Sequence, residues 1–82
     1  MKICIDERTH EGSAVEIMEQ LRQQTFDPTE YPDTESYIFQ LQSNFIRATD
    51  LDCPLPESGV ERQAQAMFAH LAKAGALTIL EE

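Results

Sequence analysis

The side chains able to do chemistry in this sequence are two cysteines, two histidines and a large surplus of carboxylates. Cys4 lies in the segment Lys2-Ile3-Cys4-Ile5-Asp6. A nucleophilic cysteine needs a base and an electropositive setting to become a thiolate. His10 could lie across a hairpin from Cys4, but no third group or oxyanion hole is placed by pattern. The expected role of Cys4 is therefore a buried structural thiol. Cys53 sits in Asp50-Leu51-Asp52-Cys53-Pro54, where negative neighbours raise a thiol's pKa and slow its chemistry. The same segment begins like a calcium loop but lacks the third ligand position, the turn glycine and the closing glutamate. The sequence has no CxxC, and its histidines have no ligand spacing, so neither a metal nor a cofactor is expected. His70 flanks a helical apolar stripe and His10 reads as a solvated strand residue.

Fifteen acids stand against six bases, a net charge of −9. Nucleic-acid surfaces need clustered Lys and Arg, and anionic membranes attract the same residues, so neither is an expected partner. Asp27, Glu30, Asp33 and Glu35 gather around one linker, and Asp50, Asp52 and Glu57 around a second. If both linkers lie at one end of the helices, these acids form one patch. Such a patch could engage a basic protein or imitate nucleic-acid phosphates. The simpler reading is solvated loops with acids serving as helix caps. A paired-carboxylate hydrolase is not expected, because general acid–base work needs a buried, shifted partner and none lies within an apolar stripe.

The elements that must position these groups follow from periodicity. Residues 2–6 alternate as a strand, Glu7-Arg8 could turn, and Thr9-His10-Glu11 could return as a second strand. Ser13 and Glu16 have capping-box spacing, and Ala14, Ile17, Met18 and Leu21 form a helical apolar face. That helix should end near Thr25, before Asp27-Pro28. A linker over 26–32 leads to a helix capped by Asp33 or Thr34, with Tyr37, Ile38, Leu41, Phe45 and Ala48 facing inward. Residues 50–57 form a second linker, extended by Pro54 and Pro56, with Leu51 and Leu55 docking on the core. Ser58 and Glu61 repeat the capping-box spacing ahead of the stripe Val60, Ala64, Met67, Phe68 and Leu71. Lys73 and Gly75 mark that helix's end, and Ala76–Leu80 reads as a closing strand.

The expected fold class is α+β, in one small domain over 1–82. Three helices pack on one face of a two- or three-stranded sheet that pairs the N- and C-terminal strands. The open sheet edge is a liability that charges or a second copy would cover. No apolar run approaches the roughly 18 residues of a membrane span, and charge falls within the first six residues. A cytoplasmic protein is expected.

Tyr31, Tyr37, Phe39, Phe45 and Ile46 are more large groups than one helix face needs, and Phe39 lies off the inner stripe. Tyr31, Tyr37, Phe39 and Ile46 are therefore candidate interface residues. They point to a non-catalytic protein–protein contact module, a homodimer or the partner of another protein. Alternatives are a phosphate-mimicking inhibitor of a nucleic-acid enzyme, and a thiol-dependent enzyme using Cys4 or Cys53.

The opening stretch also resembles small bacterial and phage accessory proteins of unknown function. The residues that carry the resemblance are Thr9, Glu11, Gly12, Ser13, Glu16, Ile17, Glu19, Gln20 and Leu21, with Ala74-Gly75-Ala76-Leu77 at the close. The usual Asp-Gly or Asn-Gly turn is replaced by Asp6-Glu7. The resemblance implies a compact accessory protein and brings no catalytic residue.

Overall fold

The computed structural model describes residues 1–25 and 32–81. The elements in order are β1 (Lys2–Ile5), β2 (Arg8–Glu11), α1 (Ala14–Gln23), α2 (Thr34–Thr49), α3 (Val60–Lys73) and β3 (Thr78–Glu81). The sheet order is β2-β1-β3, antiparallel throughout, so the chain's two ends pair as expected and the sheet has three strands.

The hairpin turns at Asp6-Glu7, one residue earlier than expected. Both residues have positive φ, 50° and 67°, the signature of the mirror-image turn whose twist matches a hairpin. Its register sets Ile3 against His10 and Cys4 against Thr9. On the other side of β1, Ile3 faces Ile79 but Lys2 faces Glu81. Leu80 is the extra residue in that step, a β-bulge that twists the edge strand and leaves this side chain exposed. Lys2 stands between Glu11 and Glu81, an opposite-charge row that favours this register. The closing strand begins at Thr78, later than expected; Leu77, just before it, is buried.

One face of the sheet carries Ile3, Ile5 and Ile79 into the core, where the three helices meet it. Ala14, Ile17 and Met18 of α1, Ile38 and Phe45 of α2, and Ala64, Met67 and Phe68 of α3 are buried there, as their spacing predicts. Ala48, expected on the inner side of α2, is exposed because it falls in that helix's last turn. Burial of each large apolar side chain contributes about 1.5–3 kcal/mol, which is how three short helices hold a small sheet.

The caps divide into two outcomes. Ser13 and Glu16 form the expected capping box: Glu16 N–H donates to Ser13 Oγ at 3.1 Å, and Ser13 N–H donates to Glu16 Oε1 at 3.0 Å. Asp33 caps α2 by accepting the Ser36 N–H at 2.8 Å. Gly75, at φ 83°, closes α3: its N–H donates to Ala72 O and the Ala76 N–H to Leu71 O, the paired bonds of a Schellman stop. The Ser58–Glu61 box does not form. Gly59 occupies the N-cap of α3, without a side-chain cap. Glu61 turns away and accepts the N–H groups of Ala14 and Val15 at 3.1 and 3.0 Å. One carboxylate thus sits in the first turn of α3 and against the first turn of α1, where both helix dipoles favour negative charge.

Residues 51–58 run back along α3 from its C-terminal end. Gln42 Nε2 donates to Cys53 O at 2.7 Å, His70 Nε2 lies 2.9 Å from Pro54 O, and Gln63 Nε2 donates to Pro56 O at 3.0 Å. Leu55 packs against the core as expected. Leu51 does not: it follows Asp50, a left-handed C-cap at φ 57°, and is left exposed. Cys53 takes the buried position.

Candidate functional site

The candidate interface residues separate on the two sides of α2. At 100° per residue, Phe39 and Ile46 lie within about 20° of one line, roughly 10 Å apart along the axis. Each is 42% exposed. Tyr37 points about 200° from Phe39 and packs, half-buried, against the core. Tyr31 lies outside the described residues. The outward line of α2 is therefore Phe39 and Ile46, with Gln42 and Ser43 between them. Gln42 is held by its bond to Cys53 O, and Ser43 is small and exposed. Leu51, expected on the core, and Leu80, at the end of the expected closing strand, are two further exposed large apolar side chains.

The described acids at the two ends of α2 are not brought together. The first linker enters the start of α2 and the second leaves its end; sixteen residues at 1.5 Å each put Asp33 and Glu35 about 24 Å from Asp50 and Asp52. Glu57 lies at the start of α3, whereas Asp52 lines a hollow with His70 and Lys73 at its end. Asp27 and Glu30 lie outside the described residues. The Ser36 N–H holds the Asp33 carboxyl below the usual carboxylate range. Among the described residues, the most strongly shifted acid is one that pattern reading passed over. Glu19 is pulled down to about 2, chiefly by Arg22, then by Thr34 and Gln23. It accepts from Arg22 Nε at 2.9 Å and from Thr34 Oγ1 at 2.6 Å, so it ties α1 to the start of α2.

The thiols and histidines fall differently from expectation. Cys4 is half-buried, not buried: it lies on the helix-free face of the sheet between Thr9 and Thr78. His10 is on the opposite face, paired with Ile3, so the strand register separates the two side chains. His10 is also buried, where a solvated residue was expected. Either turn sets His10 opposite a core-facing isoleucine of β1, Ile5 for a turn at Glu7-Arg8 and Ile3 for the one at Asp6-Glu7, so its side chain falls on the core face in both. Cys53 is buried with its Sγ 3.7 Å from Met67 Sδ, and burial, not its acidic neighbours, pushes its thiol up. His70 flanks the α3 stripe as expected, its ring tilted against Phe45 at 6.2 Å.

Among the described residues, no three His, Cys, Asp or Glu side chains come together as metal ligands. No helix among them is long and apolar enough to cross a membrane. What the geometry presents outward, then, is an apolar pair on a helix of an acidic chain. Comparison of the chain with family models, curated proteins and solved structures found no match.

Proposed function

We propose that this chain is a small cytoplasmic protein–protein contact module, non-catalytic, that pairs with a second copy of itself through the outward side of α2. The observation that supports this reading is the pair Phe39 and Ile46, large apolar groups left exposed on one line of a helix whose Ile38 and Phe45 are buried in the core. Two-fold contact between antiparallel α2 helices places Phe39 of one copy opposite Ile46 of the other, because the two flank a midpoint between Gln42 and Ser43. Ser43 is small enough for the helices to approach there. Each side chain would be withdrawn from water by the other, whereas the acids at both ends of α2 stay at the solvated rim. Sedimentation equilibrium at micromolar protein tests it. A concentration-dependent dimer that Phe39→Asp abolishes is the expected result; a strict monomer overturns it.

The phosphate-mimic reading keeps the −9 charge, whereas the length of α2 sets Asp33 and Glu35 apart from Asp50 and Asp52. Salt-insensitive or absent capture of basic proteins would exclude it. The thiol-enzyme reading is less favoured, because Cys4 and His10 face opposite sides of the sheet and burial pushes the Cys53 thiol up.

A further inference from the structure

Between the turn end of the β1–β2 hairpin and the last turn of α1 lies a concavity of about 450 Å³, a volume suited to a small molecule. Ile5, Asp6, Arg8, His10, Leu21 and Tyr37 are on its lining. Ile5, Leu21 and Tyr37 are partly buried and packed against the core, and supply apolar walls.

His10 is 8% exposed, on the core face of the sheet, with Nδ1 3.0 Å from Gln20 Oε1. A carbonyl acceptor at that position assigns the ring proton to Nδ1 and leaves Nε2 as a lone-pair acceptor. His10 is on the lining of the concavity, and with Nδ1 engaged by Gln20 it is Nε2 that remains for a ligand there. Arg8 lies on the same sheet face, two residues earlier and opposite Ile5. It is exposed and makes no ion pair among the described residues. An imidazole nitrogen and an arginine, about 6.6 Å apart along one strand face, stand over an apolar wall. Asp6 is the carboxylate on the lining, so an incoming acid group must settle at the guanidinium and away from the turn.

We propose that this concavity binds a small organic acid that also carries a protic group. Arg8 pairs with the acid, His10 Nε2 accepts from the protic group, and Ile5, Leu21 and Tyr37 hold the carbon skeleton between them. In a chain of net charge −9, an anion is retained only where a guanidinium offsets the general repulsion. The site is on the opposite side of α2 from Phe39, and its test does not depend on self-association.

The test is an NMR titration of the full ¹⁵N-labelled chain with 4-hydroxybenzoate, 4-hydroxyphenyl phosphate and 4-methylphenol. The first two differ only in their acid group, and the third has none. The expected result is saturable shifts at the Arg8, His10 and Tyr37 amides with at least one acid, and binding of 4-methylphenol weaker by about tenfold or more. Response to one acid alone supports the proposal and identifies the acid group. Arg8→Gln should weaken the acid by a similar factor, whereas Arg47→Gln, on α2, should not. No saturable shift with either acid at millimolar concentration overturns the proposal, as does equal binding of 4-methylphenol by the unaltered protein. Equal losses in the two arginine variants do the same.

Discussion

Glu61 is the side chain whose removal should be felt furthest from its own helix. Its carboxylate accepts two backbone N–H groups at the start of α1, at 3.1 and 3.0 Å, and a third bond from Gln65 Nε2 at 2.9 Å. In Glu61→Gln the shape is kept, but one oxygen becomes an amide nitrogen that must face a donor. At least one charge-assisted bond to α1 is lost. Hydrogen bonds to charged groups contribute about 1.5–3 kcal/mol, and that is the expected cost at pH 7. For a domain of this size it corresponds to a drop in Tm of roughly 6–24 °C. The pH dependence carries a definite sign. Burial works against the carboxylate, but the N–H groups of Val15 and Ala14 and the Gln65 amide outweigh it, so the folded pKa lies below the ordinary 4.5. A depressed folded pKa means that the contribution is fully present above the unfolded value and is lost as pH falls through the folded one. Urea unfolding followed by circular dichroism at a series of pH values should show the gap between the unaltered chain and Glu61→Gln widest at neutral pH. It should close progressively below about pH 4.5. Glu57→Gln, at an exposed position, should stay within about 0.5 kcal/mol of the unaltered chain. A Glu61→Gln variant within that same margin at pH 7, or a gap that persists unchanged into acid, would refute the reasoning.

Further outcomes follow from the turn and the thiols. Glu7→Gly should raise stability by about 1 kcal/mol in the same unfolding assay, because Glu7 holds φ 67° in a turn position that glycine adopts without a Cβ penalty; a loss of stability would mean that the Glu7 side chain makes a contact the turn depends on. Alkylation near neutral pH, read by mass spectrometry, should label half-buried Cys4 well before buried Cys53. Equal rates would contradict the assigned positions of the two thiols.

Much of the fold was readable because its signals are local or periodic. The stripes of α1 and α3 are spaced for one buried face each, and those faces are buried. The Ser13–Glu16 box and the Gly75 stop depend on residues within five positions of one another, and both form. What pattern reading missed depends on partners distant in the chain. Ser58 and Glu61 have the spacing of a box, yet Glu61 is drawn off by α1 amides 46 and 47 residues away, where it serves a helix that arrives from elsewhere. The register of His10 depends on a turn one residue earlier than expected, which pairs it with Ile3 in place of Ile5, and with Asp6 and Glu7 in place of glycine or asparagine no residue type advertised that turn. On α2, the exposure of Phe39 and Ile46 follows from their angle to the Ile38–Phe45 stripe. The same geometry carries Tyr37 to the inner side, a distinction that counting aromatic residues does not make.

The account stands most directly on α2 meeting a second α2 about a two-fold axis beside Ser43. Engineered thiols test that geometry: Ser43→Cys and Glu35→Cys, each in a Cys4→Ser background, oxidised under mild conditions and run on a non-reducing gel. The account predicts a covalent dimer from the cysteine at position 43, next to the axis, and little or none from position 35, near the far end of the helix. Failure of the former to cross-link, or equal cross-linking of both, would contradict it.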